Sequence, residues 1–117
     1  MKNISTESAI NKLIYALDAD NYEEAVSWVQ LLCGHVGMFK VGKELFTAVG
    51  PKIIESIKDK GQKVFLDLKF HDIPNTVARA AKAAVRLNVD MFNVHASGGS
   101  RMVKEAVTAV QTCAGEI

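Results

Sequence analysis

Residues Val64-Phe-Leu-Asp-Leu-Lys-Phe-His-Asp-Ile-Pro-Asn-Thr-Val77 decide how the chain is read. Val64 to Leu68 is apolar except for one carboxylate, the pattern of a strand buried in a parallel sheet. Alternation along a strand puts Asp67 and Lys69 on one side and Val64, Leu66 and Leu68 on the other. The second side is wholly apolar. A carboxylate and an ammonium are costly to bury unless paired. A strand that ends by aiming one of each at the same spot therefore holds either a structural ion pair or a reaction site. Asp72 adds a second carboxylate just beyond. Ile73-Pro74 then opens a helix, with Asp72 as the expected N-cap and Pro74 in the first turn.

The flanking sequence repeats the same alternation. Ser5 to Ile10 reads as a short leading helix capped by Ser5 or Thr6, and Lys12 to Leu17 as a first strand ending in Asp18. Asn21 or Asp20 caps the next helix, with Glu23 and Glu24 in its first turn, where the helix dipole favours acids. Gly34 and Gly37 mark a turn, and Met38 to Val41 forms a second strand carrying Lys40 near its end. Residues 44–60 are helical but interrupted at Gly50-Pro51, so a short helix precedes Lys52 to Lys60. Downstream, Pro74 to Leu87 is an amphipathic, alanine-rich helix. Asp90 to Val94 is a fourth strand ending in His95, Ala96 to Ser100 a loop, and Arg101 to Cys113 a last helix. A further strand is expected to start within Ala114-Gly-Glu-Ile117. This β-then-α alternation, at roughly thirty residues per unit, predicts an α/β fold with a parallel sheet and helices outside it.

Composition narrows the function classes. Hydrophobic residues make up 49% of the 117, as in a globular domain. Fourteen basic against thirteen acidic side chains give a net charge of +1, which offers no electrostatic case for polymeric nucleic acid or an anionic membrane. The two cysteines, Cys33 and Cys113, form neither a metal-ligand spacing nor a disulfide framework. A reducing cytoplasm is the expected compartment. The first residues contain no apolar h-region, and no run approaches the length of a membrane span.

Polar residues collect at the strand ends. Asp18, Lys40, Asp67, Lys69 and His95 all lie at or next to C-terminal strand ends, the face on which (β/α) barrels carry their active sites. A full barrel takes roughly 200 to 250 residues, so a single domain over 1–117 is expected to form a half-barrel of about four β/α units.

At these residues the chain resembles a known family. Phe65-Leu-Asp-Leu-Lys-Phe-His-Asp-Ile-Pro-Asn-Thr76 is similar to the signature of the orotidine 5'-phosphate decarboxylases: Asp-x-Lys-x-x-Asp-Ile, then Pro or Gly, one free position and Thr. Tyr15-Ala-Leu-Asp18, Phe39-Lys-Val-Gly42 and Asn93-Val-His-Ala-Ser-Gly-Gly99 look like the family's first, second and fourth strands. The resemblance spans the chain but only the N-terminal half of the family's domain. It implies decarboxylation of orotidine monophosphate to uridine monophosphate, with no metal and no cofactor. Lys69 would lie beside the reacting carbon and donate the proton, and Asp67 would sit near the departing carboxylate. Lys40 would pair with Asp67 and reach a ribose hydroxyl, while Asp18 would accept from the ribose. Asp72, Ile73 and Thr76 would serve the site of the neighbouring subunit of a homodimer.

Other readings stay open. Sugar-phosphate decarboxylases and aldolases of the same suprafamily share Asp-x-Lys-x-x-Asp and use magnesium, although Ile73-Pro74-Asn75-Thr76 favours the nucleotide enzyme. The polypeptide could instead be a half-barrel that self-associates without turnover, or a metal or phosphate binder using Asp67, Asp72 and His95. Gly98-Gly99 at a helix start could hold an anion through backbone amides. A half-barrel also leaves open edges at Leu13–Leu17 and Met91–Val94. It would expose Ile14, Ala16, Met38, Phe65 and Met91 on its concave face, so at least a homodimer is expected.

Overall fold

The computed structural model describes residues 4–116. In chain order they form α1 (Ile4–Asn11), β1 (Ile14–Ala16), α2 (Tyr22–Leu32), β2 (Met38–Gly42), α3 (Lys43–Val49), α4 (Lys52–Asp59), β3 (Lys63–Phe70), α5 (Pro74–Arg86), β4 (Met91–Val94) and α6 (Ser100–Glu116), with a 3-10 turn at Ala96–Gly98 before α6. The strands are parallel and make one sheet in the sequential order β1-β2-β3-β4. Strands in sequence order joined by helices are the connectivity of (β/α) barrels. The chain divides into two compact units, one up to Asp67 and one from Leu68 onward, and β3 runs from the first into the second.

In the first unit the alternation of the strands decides what is buried. Phe39 and Val41 of β2 and Val64 and Leu66 of β3 are at most 1% exposed. They form the core with Val29 of α2, Leu45 of α3, and Ile53, Ile54 and Ile57 of α4, which are equally buried. The intervening positions face the other way: Ile14 is 49% exposed, and Ala16, Met38 and Phe65 are half-buried. The register pairs Lys40 with Phe65 and Gly42 with Asp67.

Helix α2 starts where its cap dictates. The Asn21 side chain accepts from the Glu24 amide at 2.8 Å, with Glu23 and Glu24 in the first turn. Gly50-Pro51 separates α3 from α4 because Gly50 takes φ 78 and Pro51 opens the next helix.

The second unit is built on α5 and α6. They meet through small residues, with Ala81 and Ala84 of α5 and Ala106 and Ala109 of α6 all buried. Val77, Met102 and Ala106 form a cluster against which Phe70, Val94 and Val103 pack. Met91 and Asn93 occupy the alternate positions of β4, and Met91 is 38% exposed.

Four expectations are corrected. Ser5 and Thr6 lie inside α1 rather than capping it. The first strand is shorter than Lys12–Leu17, because the Lys12 and Leu13 amides donate to Ala9 and Ile10 and close α1. The N-cap of α5 is Ile73 and not Asp72: the residue before a proline is held extended, here at φ −60 and ψ 152, so the helix starts at Pro74. Asp72 instead accepts the Ile73 amide at 2.7 Å. No strand starts at Ala114, since α6 continues through Glu116 and a single Gly115 costs only about 1 kcal/mol in a helix. Ile117 lies outside the described residues.

Gly37 tests the tightness of the first unit. A Cβ there would sit 2.6 Å from the Asn11 carbonyl oxygen and 2.8 Å from its carbon, both backbone atoms that cannot swing aside. Gly37→Ala should lower stability in chemical denaturation by about 1 to 3 kcal/mol. Gly115→Ala, in a helix with nothing within 4 Å, should be neutral or stabilising.

Candidate active site

The charged side chains stand where the strands end. In the first unit, Lys40 of β2 and Asp67 of β3 project from the face opposite the apolar core. Lys40 Nζ lies 3.5 Å from Asp67 Oδ2, with Lys40 about a third exposed and the Asp67 side chain at 10%. Asp67 is the buried charged residue among the described residues. A carboxylate removed from water this far requires compensation, and the Lys40 ammonium supplies an opposite charge. Asp18 is exposed in the loop after β1, where its amide donates to the Ala16 carbonyl at 2.9 Å. The preceding Leu17 amide donates to the Lys40 carbonyl at 3.0 Å, so the β1 and β2 ends are held together. A cavity of about 570 Å³, lined by residues that include Asn11, Gly37, Gln62 and Lys63, lies at the other ends of these strands. That is the face on which barrels carry stability rather than chemistry.

In the second unit β3 departs from extended geometry at Lys69, which has φ 53 though it lies within the strand. Strand alternation therefore stops short of Lys69, and the same-side placement with Asp67 does not follow from period alone. The Lys69 amide donates to Asn93 Oδ1 of β4 at 2.9 Å. One residue later the pairing resumes, with the His95 amide donating to the Phe70 carbonyl at 3.0 Å. The His71 and His95 rings meet at 5.0 Å between centroids, tilted by 39°. His95 thus turns toward a neighbouring imidazole on the rim. Asp72, Ile73 and Thr76 lie together at the start of α5 and all are exposed, Ile73 to 64%.

Two candidate ligand sites lose their basis. The Gly98 and Gly99 amides donate to the carbonyls of His95 and Ala96, so they close the turn instead of facing an anion. The described residues contain no group of three or more His, Cys, Asp or Glu side chains able to hold a metal ion, which leaves a metal site on Asp67, Asp72 and His95 without a donor set. Arg79 and Arg86 on α5 and Arg101 on α6 are exposed. Asn93 and His71 carry interactions that the sequence pattern does not assign. Their one signal is position, at the ends of β4 and β3.

The model of the family described as orotidine 5'-phosphate decarboxylase / HUMPS matches residues 11–117. The chain is 56% identical over 115 residues to an orotidine 5'-phosphate decarboxylase of Syntrophus aciditrophicus, covering 97% of this chain and 46% of that protein. It is 58% identical over 103 residues to one from Syntrophotalea carbinolica, covering 88% of this chain and 42% of the relative. The crystal structure of orotidine 5'-phosphate decarboxylase from Lactobacillus acidophilus superposes with a TM-score of 0.79 at 43% identity, over 86% of this chain and 46% of that one. The chain spans somewhat less than half the length of these proteins.

The backbone at Lys69 can be tested separately from its ammonium. Lys69→Ala and Lys69→Gly both delete the charged group, but only glycine accepts φ 53 without a steric cost of about 1 to 2 kcal/mol. The glycine variant should be the more stable of the two by about 1 kcal/mol in urea denaturation, the opposite of the ranking in an ordinary strand.

Proposed function

The chain belongs to the orotidine 5'-phosphate decarboxylase / HUMPS family, and we propose that it supplies the N-terminal half of a domain that converts orotidine monophosphate to uridine monophosphate and CO2. The observation that carries this reading is the buried Asp67 carboxylate held 3.5 Å from the Lys40 ammonium, with Lys69 two residues further along the same strand. Loss of CO2 breaks a carbon–carbon bond and leaves the electron pair on the pyrimidine ring carbon. An ammonium already in place stabilises that charge without reorganisation. In this reading the Lys69 ammonium gives its proton to the ring carbon, the lysine is neutral for a moment, and solvent restores the proton.

Asp67 lies beside the departing carboxylate, and Lys40 orients Asp67 while reaching a ribose hydroxyl. Asp18, exposed after β1, accepts from the ribose. The mechanism needs only side-chain charge, with neither metal nor organic cofactor. The domain assembles as a homodimer, in which Asp72, Ile73 and Thr76 of one subunit reach the substrate of the other. The exposure of all three, including an isoleucine at 64%, suits a surface that a partner covers. Among the described residues no helix is long and apolar enough to cross a membrane, and the proposed compartment is the cytoplasm.

Because the chain spans less than half of its relatives, the chemistry is tested in a complete domain, made by joining it to the C-terminal half of the Syntrophus aciditrophicus protein. Lys69→Ala should lower kcat on the order of 10⁴-fold, since it removes both the proton donor and a charge facing the carbanion. A variant that turns over normally would remove Lys69 from this role. Shared sites have their own signature. Lys69→Ala and Asp72→Ala subunits, each inactive alone, should regain activity when mixed and allowed to exchange, because mixed dimers hold one site free of both changes. Mixed protein that stays inactive despite exchange contradicts the shared site.

A further inference from the structure

We propose that Asn93 is a positioning residue for Lys69, acting through the lysine's backbone amide. This inference rests on the reading of Lys69 as proton donor and adds a residue to it.

Lys69 is one of two described non-glycine residues with positive φ. The other, Asn88 at φ 64, is an asparagine in the turn before β4, a residue type that tolerates this region. A lysine there is uncommon and persists only where its surroundings over-determine the backbone. Asn93 supplies that determination. Its Oδ1 accepts the Lys69 amide at 2.9 Å, and the His95 amide takes the Phe70 carbonyl at 3.0 Å. The left-handed residue is therefore tied to β4 at its own amide and again one residue later. Asn93 is half-buried on β4, between Phe92, whose ring meets Phe70 at 5.7 Å, and Val94, which packs on the Val77 cluster. Those flanking contacts hold Asn93 in register, so its amide oxygen is a fixed acceptor.

The consequence follows from lysine's own chemistry. Its side chain has four freely turning carbons, so the chain controls the ammonium chiefly through where the Cα–Cβ bond starts. With φ at 53 that bond points differently from an extended residue's. Releasing the amide frees β3 to return to the extended region, which would move the starting point of the side chain. An asparagine kept only to complete the sheet would affect stability. An asparagine that aims Lys69 affects the chemical step.

The test has two arms. In the chain itself, amide hydrogen exchange followed by NMR should find the Lys69 amide protected. Asn93→Leu, which keeps size but removes the acceptor, should speed its exchange about tenfold. Asn93→Asp, which restores an acceptor oxygen, should recover the protection, while the His95 amide serves as internal reference. In the joined domain, Asn93→Leu should lower kcat about 100-fold with KM unchanged, the size expected for misplacing a reacting group by about 1 Å, and Asn93→Asp should recover most of it.

A Lys69 amide that exchanges freely in the unaltered chain overturns the proposal even if Asn93→Leu fails to fold. So does an Asn93→Leu domain with unchanged kcat, or one in which only KM moves. Full turnover by the Lys69→Ala domain would instead strike the proton-donor reading, and the exchange arm would still decide whether Asn93 holds the backbone.

Discussion

The Asp67 carboxylate, on a side chain only 10% exposed and with the Lys40 ammonium 3.5 Å away, is the constraint on which the candidate site depends. An ionised carboxylate in that position costs several kcal/mol unless opposite charge and hydrogen bonds compensate it. Two neighbouring parallel strands provide the geometry. Their register places Lys40 and Asp67 on the same face, with Val41 and Leu66 against the helices behind. The isoleucines of α4 and the side chains of α2 and α3 fix those strands from the other side. The apolar half of the sheet thereby stabilises what its charged half strains. Each link runs from pattern, through packing, to electrostatics.

Much of this is legible in the sequence. The apolar run around Asp67 marked β3, the Gly50-Pro51 break separated α3 from α4, and Asn21 capped α2 where the turn composition placed it. These features are local, since period, breaker and cap are each decided within a few residues. The pairing of Lys40 with Asp67 is implied by the family resemblance and not by strand period, and the two side chains lie 3.5 Å apart. The concave face expected of a half-barrel includes Ile14, Met38 and Phe65, which are exposed or half-buried on the side turned from the helices.

What escaped the sequence depends on contacts between distant segments. Nothing in Leu-Lys-Phe marks Lys69 for a left-handed backbone. The conformation goes with an acceptor from Asn93, 24 residues along the chain. The His71–His95 contact is similarly invisible, because it forms only once β3 and β4 end side by side. Asp72 is not the N-cap for a different reason: the proline after Ile73 outranks the better capping side chain. Residues at the functional rim are where local rules and tertiary demands part company.

In the proposed function, charge fixed by this strand drives loss of CO2 from a nucleotide without a metal ion. The most direct measurement is the loss of orotidine monophosphate absorbance in the joined domain after exhaustive chelation and again after magnesium is restored, alongside phosphorylated keto-sugar acids as competing substrates. Turnover of the nucleotide should be the same in both conditions, with none of the sugar phosphates. Turnover that appears only with magnesium, or only on a sugar phosphate, would overturn the proposed function.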